Sequence, residues 1–276
     1  MYAGFNLKID NTFFNKEKNM YEVLQEKGEE HLSSQKAKYE KDLESYITDK
    51  IINGTKVESD WFPQVDADIF ISHSHEDKDL ANAFAGWLYT VFNLKCFIDS
   101  NVWGYADNLL EILNDKYSNK RTDEHDGGYL YSHQSCNKVS QHVNTMLNIA
   151  LQKMIDKTEA IFLLNTSNSI SISKTYDRID ETYSPWIYSE LVCSEIVRKR
   201  PLSDYRIIKA VLEHAQFSFR NEAEQQIRIK YDAPTKHLIP LNESDLSIWW
   251  AQSANSLYKL DDLYKLKKIG GFSDGR

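Results

Sequence analysis

The run Ser184-Pro185-Trp186-Ile187-Tyr188-Ser189-Glu190-Leu191 holds a carboxylate in surroundings that suit chemistry. Ser is a favoured helix N-cap, and Pro in the first helical position loses no hydrogen bond, so a helix is predicted to begin there. Trp186 and Glu190 are then i and i+4, on one face about a turn apart. A carboxylate held beside an aromatic can stabilise developing positive charge. A surface helix with a core-facing Trp and a solvated Glu has the same spacing, so spacing alone leaves both readings open. Other polar clusters are Ser72-His73-Ser74-His75, Asp99-Ser100-Asn101-Val102-Trp103 and Asn165-Thr166-Ser167-Asn168. His73 and His75 alternate with serines, but no carboxylate or cysteine joins them at metal-ligand spacing, which favours ordinary loop histidines. The signatures Gly-x-x-x-x-Gly-Lys, Gly-x-Gly-x-x-Gly, Gly-x-Ser-x-Gly and His-Glu-x-x-His are missing, against P-loop NTPases, dinucleotide oxidoreductases, α/β-hydrolases and zincins.

Each polar cluster ends an apolar run. Asp68 to Ile71 precedes the first, Leu94 to Ile98 the second and Ala160 to Leu164 the third. Between them lie helical patterns, Leu80, Phe84, Trp87, Leu88 and Val91 in one and Val143, Met146, Leu147, Ala150, Leu151 and Met154 in the next. Alternating β and α units with apolar strands predict a parallel sheet covered on both faces, flavodoxin-like in outline. Ligands bind such sheets at the carboxyl ends of the strands, where all three polar clusters fall. Weaker strands are expected at Ile227–Tyr231 and His237–Leu241. Cys96, inside the second run, reads as core.

Three regions flank or interrupt this pattern. Residues 1–62 read as an N-terminal helical segment, with one long helix or a hairpin of two over Glu17–Lys50, broken near Gly28 or Ser33-Ser34. Residues 63–255 form the α/β domain, interrupted near 115–140 by a polar stretch that reads as a surface-loop insertion. Residues 256–276 read as a C-terminal helix and tail, with leucines three apart stopped at Gly270-Gly271.

The 276 residues include 41 acids against 33 Lys and Arg, and their few basic doublets are flanked by acids, so no nucleic-acid stripe is present. The longest uninterrupted apolar run, Ala160 to Leu164, is far short of the roughly 20 residues a membrane helix needs. Three scattered cysteines fit a reducing cytoplasm, and the N-terminus lacks the basic and apolar regions of a secretory leader. The expectation is a cytoplasmic protein with neither nucleic acid nor membrane as partner.

Asp66-Ala67-Asp68-Ile69-Phe70-Ile71-Ser72-His73-Ser74 resembles the first signature box of Toll/interleukin-1 receptor (TIR) domains. Cys96-Phe97-Ile98-Asp99-Ser100-Asn101-Val102-Trp103-Gly104 stands where the second box and its BB loop belong, without the usual Arg-Asp and loop proline. Ser184 through Glu190 is similar to the Trp-x-x-x-Glu helix of TIR enzymes that cleave NAD, and the nearest likeness is to stand-alone bacterial TIR proteins of anti-phage systems such as Thoeris. The resemblance covers Val65 to Arg200 best. It implies Glu190 as catalytic carboxylate, with Trp186 walling the ribose-nicotinamide end and Ser72, His73 and Ser74 lining the pocket. Asp99 and Trp103 would meet nucleotide from the same or a neighbouring subunit. Implied too are NAD as substrate with no cofactor, self-association, and a separate effector protein that reads the nucleotide product. A non-catalytic TIR assembly module and a nucleoside deoxyribosyltransferase-like enzyme are the alternatives.

Overall fold

The computed structural model describes residues 1–14, 20–33, 43–48, 51–102, 106–122, 127–172, 179–206 and 229–270. Five strands form one sheet: β1 (Ala3–Lys8), β2 (Ile69–Ser72), β3 (Cys96–Phe97), β4 (Ala160–Leu164) and β5 (Ile239–Asn242). Their spatial order is β3-β2-β4-β1-β5, and every neighbouring pair is parallel. Period-2 alternation divides the side chains between two cores. Phe5, Leu7, Ile69, Ile71, Phe162 and Leu164 face one side, and Phe70, Phe97, Ile161 and Leu163 the other.

Helices α1 (Met20–Ser33), α2 (Gly54–Trp61), α3 (Lys78–Phe92), α4 (Asp99–Val102), α5 (Ala106–Tyr117), α6 (His133–Lys157), α7 (Pro185–Ile196), α8 (Glu243–Gln252) and α9 (Lys259–Leu266) follow in chain order. The first core takes side chains from α1, α3, α8 and α9, and the second from α2, α5, α6 and α7. The chain is therefore an α/β protein with a parallel sheet covered by helices on both faces. Local signals set the helix limits. Asn93 closes α3 in the left-handed region, its N–H bonding the Leu88 and Tyr89 carbonyls, and Asn242 with Asp245 makes a capping box before α8.

Four expectations need correction. Residues 1–62 are not simply a helical segment, because Ala3–Lys8 is a strand lying between β4 and β5. The order β3-β2-β4 is that of the first three strands of a flavodoxin-like sheet, and the fourth place is taken from the N-terminus. Gly28 does not break α1; it sits mid-helix, where α1 meets α3 backbone to backbone. The 115–140 stretch is only partly loop: Tyr117 ends α5, Arg121–Thr122 pairs with Tyr129–Leu130 in a hairpin, and α6 starts at His133. Lys120 lies 3.9 Å above the Tyr129 ring and bonds Asp115, which fastens the hairpin's base. Finally, of the two weak strands only His237–Leu241 corresponds to a strand of the main sheet. Tyr231–Asp232 pairs antiparallel with Asp180–Thr182 in a small separate sheet, and Ile227 lies outside the described residues.

Candidate active site

Polar side chains gather at the carboxyl ends of β2, β3 and β4, where each strand stops and its chain turns into a loop or helix. Ser72 is the last residue of β2 and only 1% exposed. Its hydroxyl donates a 2.6 Å hydrogen bond to Glu190 Oε2. Glu190 reaches this position because Ser184 caps α7 as expected, its Oγ accepting from the Ile187 N–H, with Pro185 in the first turn. One and a half turns later, Glu190 points at the sheet edge rather than at solvent and is 4% exposed. Residues 118 positions apart in sequence thus meet in one hydrogen bond.

Burial pushes the Glu190 carboxyl well above the usual glutamate range, the charge of Asp99 pushes it further, and the Ser72 bond partly opposes both. Asp99, the first residue of α4, bears on His73 too. The imidazole is buried and held below its ordinary pKa, with Asp99, the Ile71 backbone and Asp77 acting to raise it and His75 to lower it. Its Nε2 stands 3.4 Å from Ser100 Oγ. Two carboxyl groups, one imidazole and two hydroxyls therefore share a shielded corner of the sheet. The arrangement favours the protonated form of Glu190, chiefly through burial.

The expected site residues do not all converge. Ser72, His73, Asp99 and Glu190 are brought together. Ser74 is half-buried and precedes a short turn over His75–Asp77, where its side chain makes no capping bond. Trp186 is half-buried against the second core, packed as a structural side chain would be on its inner edge. Trp103 lies outside the described residues. Tyr188, a further aromatic of the same helix, stacks on Tyr231 at 4.7 Å. Cys96 is core, as expected, and fully buried.

Reasoning from sequence missed the supporting shell. Asp77 accepts hydrogen bonds from Thr166 Oγ1 and from Asn168 Nδ2, the latter at 2.8 Å, so the loop after β4 is tied to the loop after β2. Asn165 Nδ2 reaches Asn6 Oδ1 of β1 at 2.8 Å, which adds the N-terminal strand to the same rim. Asn82, inside α3, links α1 to α4. Its signal was a lone carboxamide four residues before Gly86 in a helix otherwise apolar from Ala81 to Leu88. Among the described residues no group of three His, Cys, Asp or Glu is placed to hold a metal ion. An open groove of about 690 Å³ runs along α6, lined by Asn137, Gln141, Asn144, Asn148 and Gln152 among others, and it contains no titratable side chain.

Comparison with protein-family models, with curated proteins and with solved structures found no match.

Proposed function

We propose that the chain is a TIR-type NAD glycohydrolase or cyclase, which releases nicotinamide and forms ADP-ribose or a modified or cyclic ADP-ribose signal in anti-phage defence. The observation that carries this reading is Glu190 itself, buried at the sheet's carboxyl edge, bonded by Ser72 and faced by Asp99. Nicotinamide leaves NAD as a neutral molecule, so its departure needs no proton donor. The positive charge passes to the ribose in an oxocarbenium-like transition state. A carboxylate fixed against that ribose stabilises the transition state more than the ground state.

The raised pKa of Glu190 fits this chemistry. An approaching ribosyl-pyridinium supplies the opposite charge that the empty site lacks, and an opposite charge within a few ångströms favours the ionised carboxylate. The approaching charge thus favours the ionised form of Glu190, which acts as the stabilising anion. Ser72 holds the carboxylate in one orientation; water adding to the ribose carbon with loss of a proton gives ADP-ribose, and where burial excludes water a nucleophile of the nucleotide itself closes a ring instead. NAD serves as substrate, and these residues need no cofactor for the step. A separate effector would read the product, and self-association would complete the site.

A second reading draws support from Asp99. A buried carboxyl whose pKa is raised can also protonate a neutral leaving base, with the second carboxylate beside it, which a nucleoside deoxyribosyltransferase-like enzyme requires. Purified protein incubated separately with NAD and with deoxynucleosides separates the two. Nicotinamide release from NAD, lost in Glu190→Gln, is the expected result. Base release from deoxynucleosides alone would install the second reading, and turnover of neither substrate at any protein concentration would leave a TIR assembly module.

A further inference from the structure

Between Ala81 and Leu88 every residue of α3 is buried, and every one except Asn82 is apolar or glycine. Burying a carboxamide is costly unless both its halves are hydrogen-bonded. Asn82 satisfies both in two different elements. Its Nδ2 donates to Glu29 Oε1 of α1 at 3.0 Å, and its Oδ1 accepts from Asn101 Nδ2 of α4. Asn101 is itself buried. At the same point the helix backbones touch, for a Cβ on Gly28 would lie 1.9 Å from the Asn82 carbonyl oxygen. Glu29, the next residue, is therefore registered on Asn82 by one of the two closest contacts of the α1–α3 crossing.

At its other end Asn82 meets the element that carries Asp99. Asp99 opens α4 two residues before Asn101, and Ser100 between them faces His73. A shift of Asn101 moves Asp99 relative to Glu190, because a single turn of helix joins them. We propose that Asn82 is a positioning residue: it holds α4, and with it Asp99, against Glu190 and His73, and it makes that placement depend on the seating of α1. Its bearing on substrate rests on the reading of Glu190 as the catalytic carboxylate, whereas the hold on α4 does not.

The experiment reverses the polarity of one hydrogen bond. Asn82→Asp keeps the acceptor for Asn101 but sets a carboxylate against Glu29, and Glu29→Gln in the same chain restores a donor at nearly constant shape. Amide hydrogen exchange over residues 96–102 is followed beside that of α3 and β4, with nicotinamide release measured on the same samples. Asn82→Asp is expected to speed exchange at 96–102 about tenfold, the scale of one lost hydrogen bond to a charged group, with α3 and β4 unchanged and the double variant restored. The pH profile of nicotinamide release should shift in Asn82→Asp and return in the double variant. If Asn82→Asp fails to fold, Glu29→Ala, at an exposed position, tests the same link and is expected to speed exchange at 96–102 selectively. Exchange at 96–102 that is unchanged, or that rises only in step with α3 and β4, overturns the proposal. Selective exchange in a chain that releases no nicotinamide even as wild type leaves the positioning role standing and removes the enzymatic reading instead.

Discussion

Glu190 is 4% exposed, and its carboxyl holds a proton well above the range in which a free glutamate releases one. In the unfolded chain that proton is lost near the ordinary value, so above it the folded state binds the extra proton and stability falls as pH rises. Glu190→Gln removes the titration at nearly the same shape. The variant is expected to lose nicotinamide release by at least about 100-fold, the scale seen when a preorganised charge-stabilising group is removed. It is also expected to melt higher than the wild type, by a margin that grows as pH rises above the ordinary glutamate range. Calorimetry at several pH values beside a nicotinamide assay checks both halves. His31 has the opposite sign. Its Nε2 accepts from the Cys96 N–H at 3.3 Å and its ring stacks on Tyr89, and burial lowers its pKa to about 4. The unfolded histidine gains a proton near 6.5 that the folded one refuses, so stability is lost as pH falls from about 6.5 to about 4, by up to about 3 kcal/mol. Urea midpoints of wild type and His31→Gln between these limits should converge at acid pH. Glu190 and Ser72 were legible in sequence because a capped helix and a strand end announce themselves locally. Asn82, Asp77 and His31 were not, since each answers to partners far away along the chain.

Among the elements, α1 departs furthest from its sequence pattern. Its scattered apolar residues suit a solvated helix, yet Gly28 and Gly86 let it approach α3 until an added Cβ at either glycine would lie 1.9 Å from the other helix's carbonyl oxygen. Space, rather than backbone freedom, is what these glycines supply. Gly28→Ala is expected to push the helices apart at a cost of about 3 kcal/mol, measured by urea unfolding, because backbone cannot yield as a flexible side chain does. The α7 start was legible to the residue, through Ser184 and Pro185. The three small sheets and α8 were not: strands of two or three residues carry no usable period, and the capping box of α8 follows directly on β5 without a loop.

At the scale of the molecule, parallel strands and two-sided cover were legible from apolar runs spaced by helical patterns, but strand order was not. Ala3–Lys8 is too short and too mixed to declare a strand before its neighbours are known, and only pairing with Ala160–Leu164 and Ile239–Asn242 makes it one. A network below the sheet joins distant parts: Arg206 bonds both oxygens of Glu159 at 2.7 and 2.8 Å and also Asp261 of α9, and Tyr264 donates to Glu159 at 2.9 Å. Arg206→Met leaves the buried Glu159 without its counter-charge and is expected to destabilise by about 3 kcal/mol in chemical unfolding. For activity, specific nicotinamide release should rise with protein concentration if a neighbouring copy completes the site. Exposed Ile172, Tyr183 and Ile229 on and beside the small sheet next to α7 offer apolar area for such contact. A flat profile from nanomolar to tens of micromolar protein would show a competent monomer.

The place of β1 also sets a timetable. Phe5 leaves the ribosome long before its partners Phe162 and Ile239. A nascent strand with Phe5 and Leu7 unburied must wait until β4 and β5 have both been made before the sheet can close around it. Pairings so distant in sequence make folding slow and leave sticky edges open meanwhile. A fragment begun at Val65, which keeps everything that resembles a signature, would lack the strand that separates β4 from β5. It should therefore emerge insoluble, and supplying residues 1–14 as a fused or co-expressed segment is the remedy the topology dictates.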